Sequence, residues 1–286
     1  MRKNIVTSIT LIACLLFLGG CGGHSSNNID SGETSTASIP ANTAPLNISI
    51  FLDLSDRLTR DLTPSQMERD TALINILIDQ FINTCVQKKI LLSKDRIKVL
   101  FYPTPSNPNI VAWAKALEVD MDKIPAKEKK LKLLSMKDDF NASLSEIYKE
   151  ALNAKNFIGC DIWAFFSDEK VDVQCMEDNY RNIIIILTDG YLFYEYNKIK
   201  EGDAYSYVLP QTLAVPSSSL ICKREGLSDL EVLMLEVNPY KPAHRDKLFS
   251  VLENWFKEMG IEKIKIVDTD LPNNTKAYID KFFVDK

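Results

Sequence analysis

The sequence is poor in the residues that build several common kinds of site. Its 286 residues include only two histidines, His24 and His244, and its six cysteines form no CxxC pair and no Cys/His pattern. These absences argue against a structural zinc site and against a catalytic triad built on several histidines. Lysine and arginine are scattered along a chain of net charge −5, which argues against a dedicated nucleic-acid binder.

An apolar run long enough to span a membrane is missing at the N-terminus. Residues 1–20 combine the basic Arg2 and Lys3 with a short apolar stretch over residues 9–18, the pattern of a signal peptide. The following Leu-Gly-Gly-Cys resembles a bacterial lipobox, which implies that Cys21 carries lipid, palmitate included, and becomes the first mature residue. We therefore expect a lipid-anchored cell-envelope protein, at the periplasmic face or the cell surface.

The next segment, residues 21–45, is rich in Ser, Thr, Asn, Gly and Ala and shows no apolar periodicity. This composition predicts a flexible tether. If Cys21 is lipidated, four cysteines remain in the folded part, and in an oxidising envelope they permit up to two disulfides in three pairings. These cysteines are Cys85, Cys160, Cys175 and Cys222, with Cys160 and Cys175 closest in sequence.

Residues 46–286 alternate short β-branched runs with amphipathic segments, and 45% of the whole chain is apolar. Buried strands are predicted at 47–54, 96–102, 182–190, 231–237 and 264–267, with a weaker edge strand at 116–121. Helices are predicted at 63–88, 127–134, 141–154, 162–166, 242–259 and 274–283. This order predicts one α/β domain with a Rossmann-like, doubly wound, mostly parallel sheet and helices on both faces.

Two of the predicted central strands end in aspartate. Asp53 and Ser55 follow the first strand, two residues apart, and Asp189 follows the run of four isoleucines. Because carboxyl ends of parallel strands share one edge of a sheet, these groups are expected to lie together. A polar strand stop with a turn cap is the alternative explanation of Asp53 and Ser55.

Three segments in this order resemble the loops of a von Willebrand factor type A (vWA) domain. They are Asp53-Leu54-Ser55-Asp56-Arg57, Gly159-Cys160-Asp161-Ile162 and Thr188-Asp189-Gly190. The resemblance implies a metal-ion-dependent adhesion site holding Mg²⁺ or another divalent cation through Asp53, Ser55 and Asp189. Asp161, or Ser143 on the preceding helix, is the substitute oxygen donor, and the spacing to Asp189 favours Asp161.

The sequence departs from that family at two positions. Arg57 stands where the family has its second serine, and Cys160 stands where its threonine is expected. Arg57 either points away or pairs with Asp53 or Asp189 and replaces the metal, and magnesium does not favour a sulfur ligand. A tyrosine-rich stretch follows Asp189, in which Tyr191 and Tyr194 are either contacts at the rim of the site or the buried face of a hairpin.

The resemblance implies a binding module rather than an enzyme, one that recognises an envelope protein or glycan through this sheet edge. A Mg²⁺-dependent phosphatase of haloacid-dehalogenase-like type is the alternative, although Ser55 stands where such enzymes carry their acid. A metal-free envelope scaffold is the third hypothesis.

Overall fold

The central feature of the fold is a six-stranded sheet. The computed structural model describes residues 44–153, 160–191, 199–201, 204–206, 224–239 and 241–284. The strands in chain order are β1 (Leu46–Leu52), β2 (Arg96–Leu100), β3 (Glu118–Asp120), β4 (Arg181–Leu187), β5 (Ile199–Glu201), β6 (Ala204–Ser206), β7 (Leu230–Val237) and β8 (Ile264–Asp268). The main sheet has the order β3-β2-β1-β4-β7-β8, and β5 and β6 form a separate antiparallel pair.

Within the main sheet every pairing is parallel except that of β3, which runs antiparallel to β2 at the edge. The central strands β1 and β4 are buried along nearly their whole length, as expected for strands covered on both faces. The predicted α/β class with a mostly parallel, doubly wound sheet is therefore confirmed.

Helices cover both faces of this sheet. They are α1 (Gln66–Gln87), α2 (Pro108–Ala116), α3 (Ala126–Asn153), α4 (Ile162–Ser167), α5 (Lys170–Cys175), α6 (Arg245–Glu258) and α7 (Pro272–Val284). On one face, α1, α3 and α7 pack on side chains such as Ile48 and Ile50 of β1. On the other face, α4, α5 and α6 pack on Phe51, Ile184 and Ile186. Alternate residues of β1 thus pack into the two cores on opposite faces of the sheet.

The main difference from the predicted elements lies in α3. Residues 127–134 and 141–154, expected as two helices, belong to one helix of 28 residues. Met136 and Phe140 are buried between them, so the apolar face is continuous. Within residues 127–134, Lys129 and Leu133 are buried, and the Lys129 Nζ donates to the carbonyls of Leu91 and Ser93.

Helix α1 also begins later than the prediction. Its N-cap is Ser65, whose hydroxyl accepts from the Glu68 backbone while the Glu68 carboxylate accepts from the Ser65 backbone. This reciprocal capping box satisfies two amide donors that the first turn leaves without helical partners, and it fixes the start at Gln66.

The three described cysteines of the folded part are free thiols. Cys85 lies in one core, and Cys160 and Cys175 lie in the other, all buried. The Cys160–Cys175 pairing that the sequence permitted is therefore not formed. Cys222, the lipidation candidate Cys21, the predicted signal peptide and nearly all of the tether lie outside the described residues. Within the described part of the chain, no helix is both long and apolar enough to cross a membrane.

Candidate functional site at the carboxyl edge of the sheet

Parallel pairing of β1 with β4 brings the two candidate aspartates to one edge. Leu52 is in register with Leu187, so that Asp53 follows β1 beside Thr188, the residue before Asp189. The Asp53 amide donates to the Leu187 carbonyl at 3.1 Å, and the Thr188 amide donates to Leu235 at 3.2 Å. Backbone hydrogen bonds alone therefore fix the relative positions of these strand ends.

Asp53 is almost completely buried, and both of its carboxylate oxygens are engaged. Its Oδ1 accepts from the Ser55 amide at 2.8 Å, and its Oδ2 accepts from the Thr188 hydroxyl at 2.7 Å. The Arg57 guanidinium lies beside it, with Nε 3.5 Å from Oδ2 and 2.9 Å from the Asp53 carbonyl. Asp53 therefore organises the turn that follows β1 and links it to Thr188 at the end of β4.

Arg57 points inward and makes its strongest contacts with Asp70 of α1. The guanidinium contacts the two carboxylate oxygens of Asp70 at 2.7 and 3.3 Å, and the two side chains are 1% and 0% exposed. Gln66 and Tyr148 also donate to Asp70, at 2.9 and 2.8 Å. Burial raises the pKa of Asp70, and the guanidinium opposes that shift. The result is a closed buried network.

A second buried ion pair lies next to the first. Arg69 of α1 donates through Nε to Glu236 Oε2 at 2.8 Å, and the Thr269 hydroxyl donates to the same oxygen at 2.9 Å. Gln66 links the two networks, since its amide nitrogen lies within reach of both Asp70 and Glu236. Glu236 has a positive φ of 67°, where the β7–β8 register shifts, so the backbone is strained at a residue held by these contacts.

Asp189 forms the outer ion pair of this edge. Its Oδ2 accepts from Arg60 at 2.8 Å, and Arg60 also donates to the Asn238 carbonyl at 2.7 Å. The two side chains are 20% and 12% exposed, in contrast to the sealed Arg57–Asp70 pair. Burial and then the nearby charge of Asp53 raise the pKa of Asp189 to about 7, against the opposing effect of Arg60.

The remaining candidate residues have other local roles. The Ser55 hydroxyl accepts from the Arg57 amide and caps the short 3₁₀ helix over residues 56–59. The Asp161 carboxylate accepts from the Ala164 amide at 2.8 Å and caps α4. Cys160 is buried, which raises the pKa of its thiol well above the ordinary value, and the charges of Asp53 and Asp189 add to that shift.

Tyr191 is half-buried at this edge, and its amide donates to Asp189 Oδ1 at 3.2 Å. The second proposed rim residue, Tyr194, lies outside the described residues. Gly190, between Asp189 and Tyr191, has φ of 93°, and a Cβ there would lie 2.9 Å from Val237 Cγ1. A glycine is needed at this point of the loop for both reasons.

This donor set does not fit a divalent cation. Hard cations need several converging oxygens, but here Arg57 and Arg60 contact the two aspartates and Cys160 offers sulfur. Arg57, Arg60 and Arg69 also place three positive charges among the four carboxylates Asp53, Asp70, Asp189 and Glu236, which weakens the attraction for such an ion. Among the residues that the structure describes, no cluster of three or more His, Cys, Asp or Glu side chains has metal-binding geometry.

The same contacts bear on catalysis. A nucleophilic aspartate needs an oxygen lone pair directed at the substrate, whereas Asp53 is 1% exposed and both oxygens accept short hydrogen bonds. These contacts do not suit Asp53 to the role of nucleophile in phosphoryl transfer.

Several residues of this edge were not predicted from the sequence. Asp70, Arg69 and Gln66 come from α1, where their polar side chains face the core, and a charged residue on the buried side of a helix is the signal that points to a network. Arg60 and Glu236 give no comparable local signal.

Comparison with known proteins leaves the family open. No family model matches the chain, and no curated protein matches it either. Among solved structures, it is similar to the conserved hypothetical protein BatB from Bacteroides thetaiotaomicron, at 12% sequence identity and a TM-score of 0.40, over 84% of this chain and 97% of that one. The fold assignment therefore rests on the strand order, and the chemistry rests on the side chains.

Proposed function

We propose that this chain is a non-enzymatic recognition module of the bacterial cell envelope, anchored through lipid on Cys21. In this proposal it binds a protein or glycan partner through the carboxyl edge of its sheet without a resident metal ion. One observation carries the proposal: an arginine of the same chain lies beside each of the two strand-end aspartates, with Arg57 3.5 Å from the Asp53 carboxylate and Arg60 2.8 Å from that of Asp189. The guanidinium groups supply the positive charge that a cation supplies in metal-dependent adhesion sites.

The two arginines have different roles in this proposal. The Arg57–Asp70 pair is sealed and holds the edge together. The Arg60–Asp189 pair is partly exposed, and Tyr191 lies beside it. A partner carboxylate, or a hydroxyl of a glycan, can take the place of Asp189 on the flat guanidinium of Arg60, which favours two-pronged hydrogen bonds to oxygen. Protonation of Asp189, whose pKa is raised to about 7, makes that exchange easier.

The test compares partners captured from envelope extract by the full chain and by Arg60→Gln. A partner retained by the wild type and lost with Arg60→Gln is expected, in Mg²⁺ and in a chelator alike. Lys149→Gln is the matched control, because Lys149 pairs with Glu146 on the exposed face of α3. Equal capture by Arg60→Gln would remove the edge from consideration, and capture that needs Mg²⁺ would contradict the metal-free mode.

A further inference from the structure

The opposite edge of the sheet carries an exposed apolar loop. The segment Val86-Gln87-Lys88-Lys89-Ile90-Leu91-Leu92-Ser93-Lys94, here named the amino-edge loop, connects α1 to the start of β2. Leu91 is 62% exposed and Leu92 is 70% exposed, with Val86 exposed beside them. Isolated exposed leucines are common, but two adjacent ones on a short connection form a small apolar projection.

The projection is held rigidly by the backbone. The Leu92 amide donates to Lys89 at 2.8 Å, and the Ser93 amide donates to Ile90 at 3.3 Å. The buried Lys129 of α3 donates to the carbonyls of Leu91 and Ser93 at 3.2 and 2.7 Å. Lys89 adopts a positive φ of 66°, a conformation that non-glycine residues rarely hold. The loop thus presents its leucines outward from a fixed conformation.

Lysines flank these leucines in the sequence, with Lys88 and Lys89 before them and Lys94 after them. Lys88 is mostly covered and pairs with the buried Asp95 at 2.7 Å. Lys89 and Lys94 are exposed, although Lys94 lies 3.5 Å from the exposed Asp122 carboxylate. Apolar side chains flanked by lysines suit the boundary between acyl chains and anionic headgroups, since lysines reach the phosphates while the leucines enter the apolar layer.

The chain enters the domain at this same place. Lys88 Nζ donates to the Ala44 carbonyl at 2.7 Å, and the Leu46 amide donates to Asp95 Oδ1 at 2.7 Å. If the segment from Cys21 to residue 44 is the flexible tether that its Ser-, Thr- and Asn-rich composition predicts, its end-to-end distance would be roughly 25–30 Å. A lipid on Cys21 would therefore keep the amino-edge loop close to the bilayer.

We infer that the amino-edge loop docks on a bilayer surface with anionic headgroups, inserting Leu91 and Leu92 at the interface. This inference rests on the lipid anchoring in the proposed function. The loop lies at the amino ends of the parallel strands, whereas Asp53 and Asp189 follow their carboxyl ends. Docking would thus direct the carboxyl edge of the sheet, where the proposed partner binds, away from the membrane.

The test uses Leu91→Trp in the full chain, reconstituted in vesicles of phosphatidylethanolamine and phosphatidylglycerol that contain brominated phospholipid. Bromine quenches indole fluorescence only at short range, and the signal of the parent chain with its three tryptophans is subtracted. Leu271→Trp is the matched control, because Leu271 is an exposed leucine that follows β8 at the carboxyl edge. Both positions are exposed, so neither change disturbs the core.

We expect strong quenching of Leu91→Trp and little of Leu271→Trp. Adding Lys89→Glu and Lys94→Glu should weaken the quenching, as should high salt. Equal quenching at both positions, or no quenching of Leu91→Trp in vesicle-bound protein, would overturn the inference. A concentration-dependent blue shift of the Leu91→Trp fluorescence without vesicles would also overturn it, because it would show that the loop docks on a second copy of the chain. Failure of the chain to stay with the vesicles would instead refute the lipid anchoring of the proposed function. Partner capture by the carboxyl edge is measured separately, so the failures are distinguishable.

Discussion

Replacing Arg57 with methionine is the sharpest test of the buried network at the carboxyl edge. Methionine keeps much of the side-chain volume but leaves Asp70, which is 0% exposed, without the cation that contacts both of its oxygens. Removing one partner of such a pair typically costs about 3–5 kcal/mol, because the remaining charge is buried without compensation. That is a large share of the roughly 5–15 kcal/mol by which domains are stable.

The pH dependence of this loss follows from Asp70. Without Arg57, the effect of burial on the Asp70 carboxyl is opposed only by hydrogen bonds from Gln66 and Tyr148, so its folded pKa rises further above the unfolded value. A folded pKa above the unfolded one stabilises the protein at low pH, and that contribution is lost as pH rises through the folded pKa. The loss of unfolding free energy caused by Arg57→Met should therefore be largest at neutral pH and should become smaller at acidic pH.

Urea unfolding of the full chain, followed by circular dichroism, measures these differences. The double variant Arg57→Met/Asp70→Asn should regain much of the stability, since residue 70 no longer carries a buried charge and Asp53 keeps its hydrogen bonds from Ser55 and Thr188. Lys149→Met, which removes an exposed ion pair with Glu146, should have little effect. A loss below about 1 kcal/mol for Arg57→Met, or no recovery in the double variant, would refute the buried-charge reasoning.

Three further predictions concern the same sheet edge and the two cores. Because the folded pKa of Asp189 is raised to about 7, the free energy of unfolding should fall as pH rises from about 4 through 7, and Asp189→Asn should flatten that slope in urea titrations. Gly190→Ala should cost about 1–3 kcal/mol, seen as a lower melting temperature, because its Cβ would press on Val237 at a positive φ; an unchanged melting temperature would contradict this. Burial raises the pKa of the Cys85 thiol to about 12 and that of the Cys175 thiol to about 11, so neither forms the reactive thiolate at neutral pH. Peptide mapping after alkylation should therefore find Cys85, Cys160 and Cys175 unmodified until urea is added. Rapid labelling of the native protein would instead show that the cores open.

The strands could be predicted because the pattern of apolar residues that marks a buried strand lies within a few consecutive residues. The unbroken apolar run Ile183–Ile186 suits a strand that is buried on both faces, and the structure places it in β4, at the centre of the sheet. The separation of α3 into two helices was wrong, because charged residues at its start obscured a face that Met136 and Phe140 continue. Local charge density says little about which side of a long helix meets the core.

The amino-acid sequence by itself determined the fold class and the edge at which Asp53 and Asp189 meet, because buried strands have a local residue pattern and strands joined through helices run parallel. Only the tertiary structure decided what those carboxylates contact. Arg57 binds Asp70, thirteen residues further along the chain on α1, and Arg60 reaches Asp189 across the sheet edge, at a separation of 129 residues. Such pairs depend on how the helix and loops pack over the strands, and that packing turned a candidate cation site into a set of internal ion pairs.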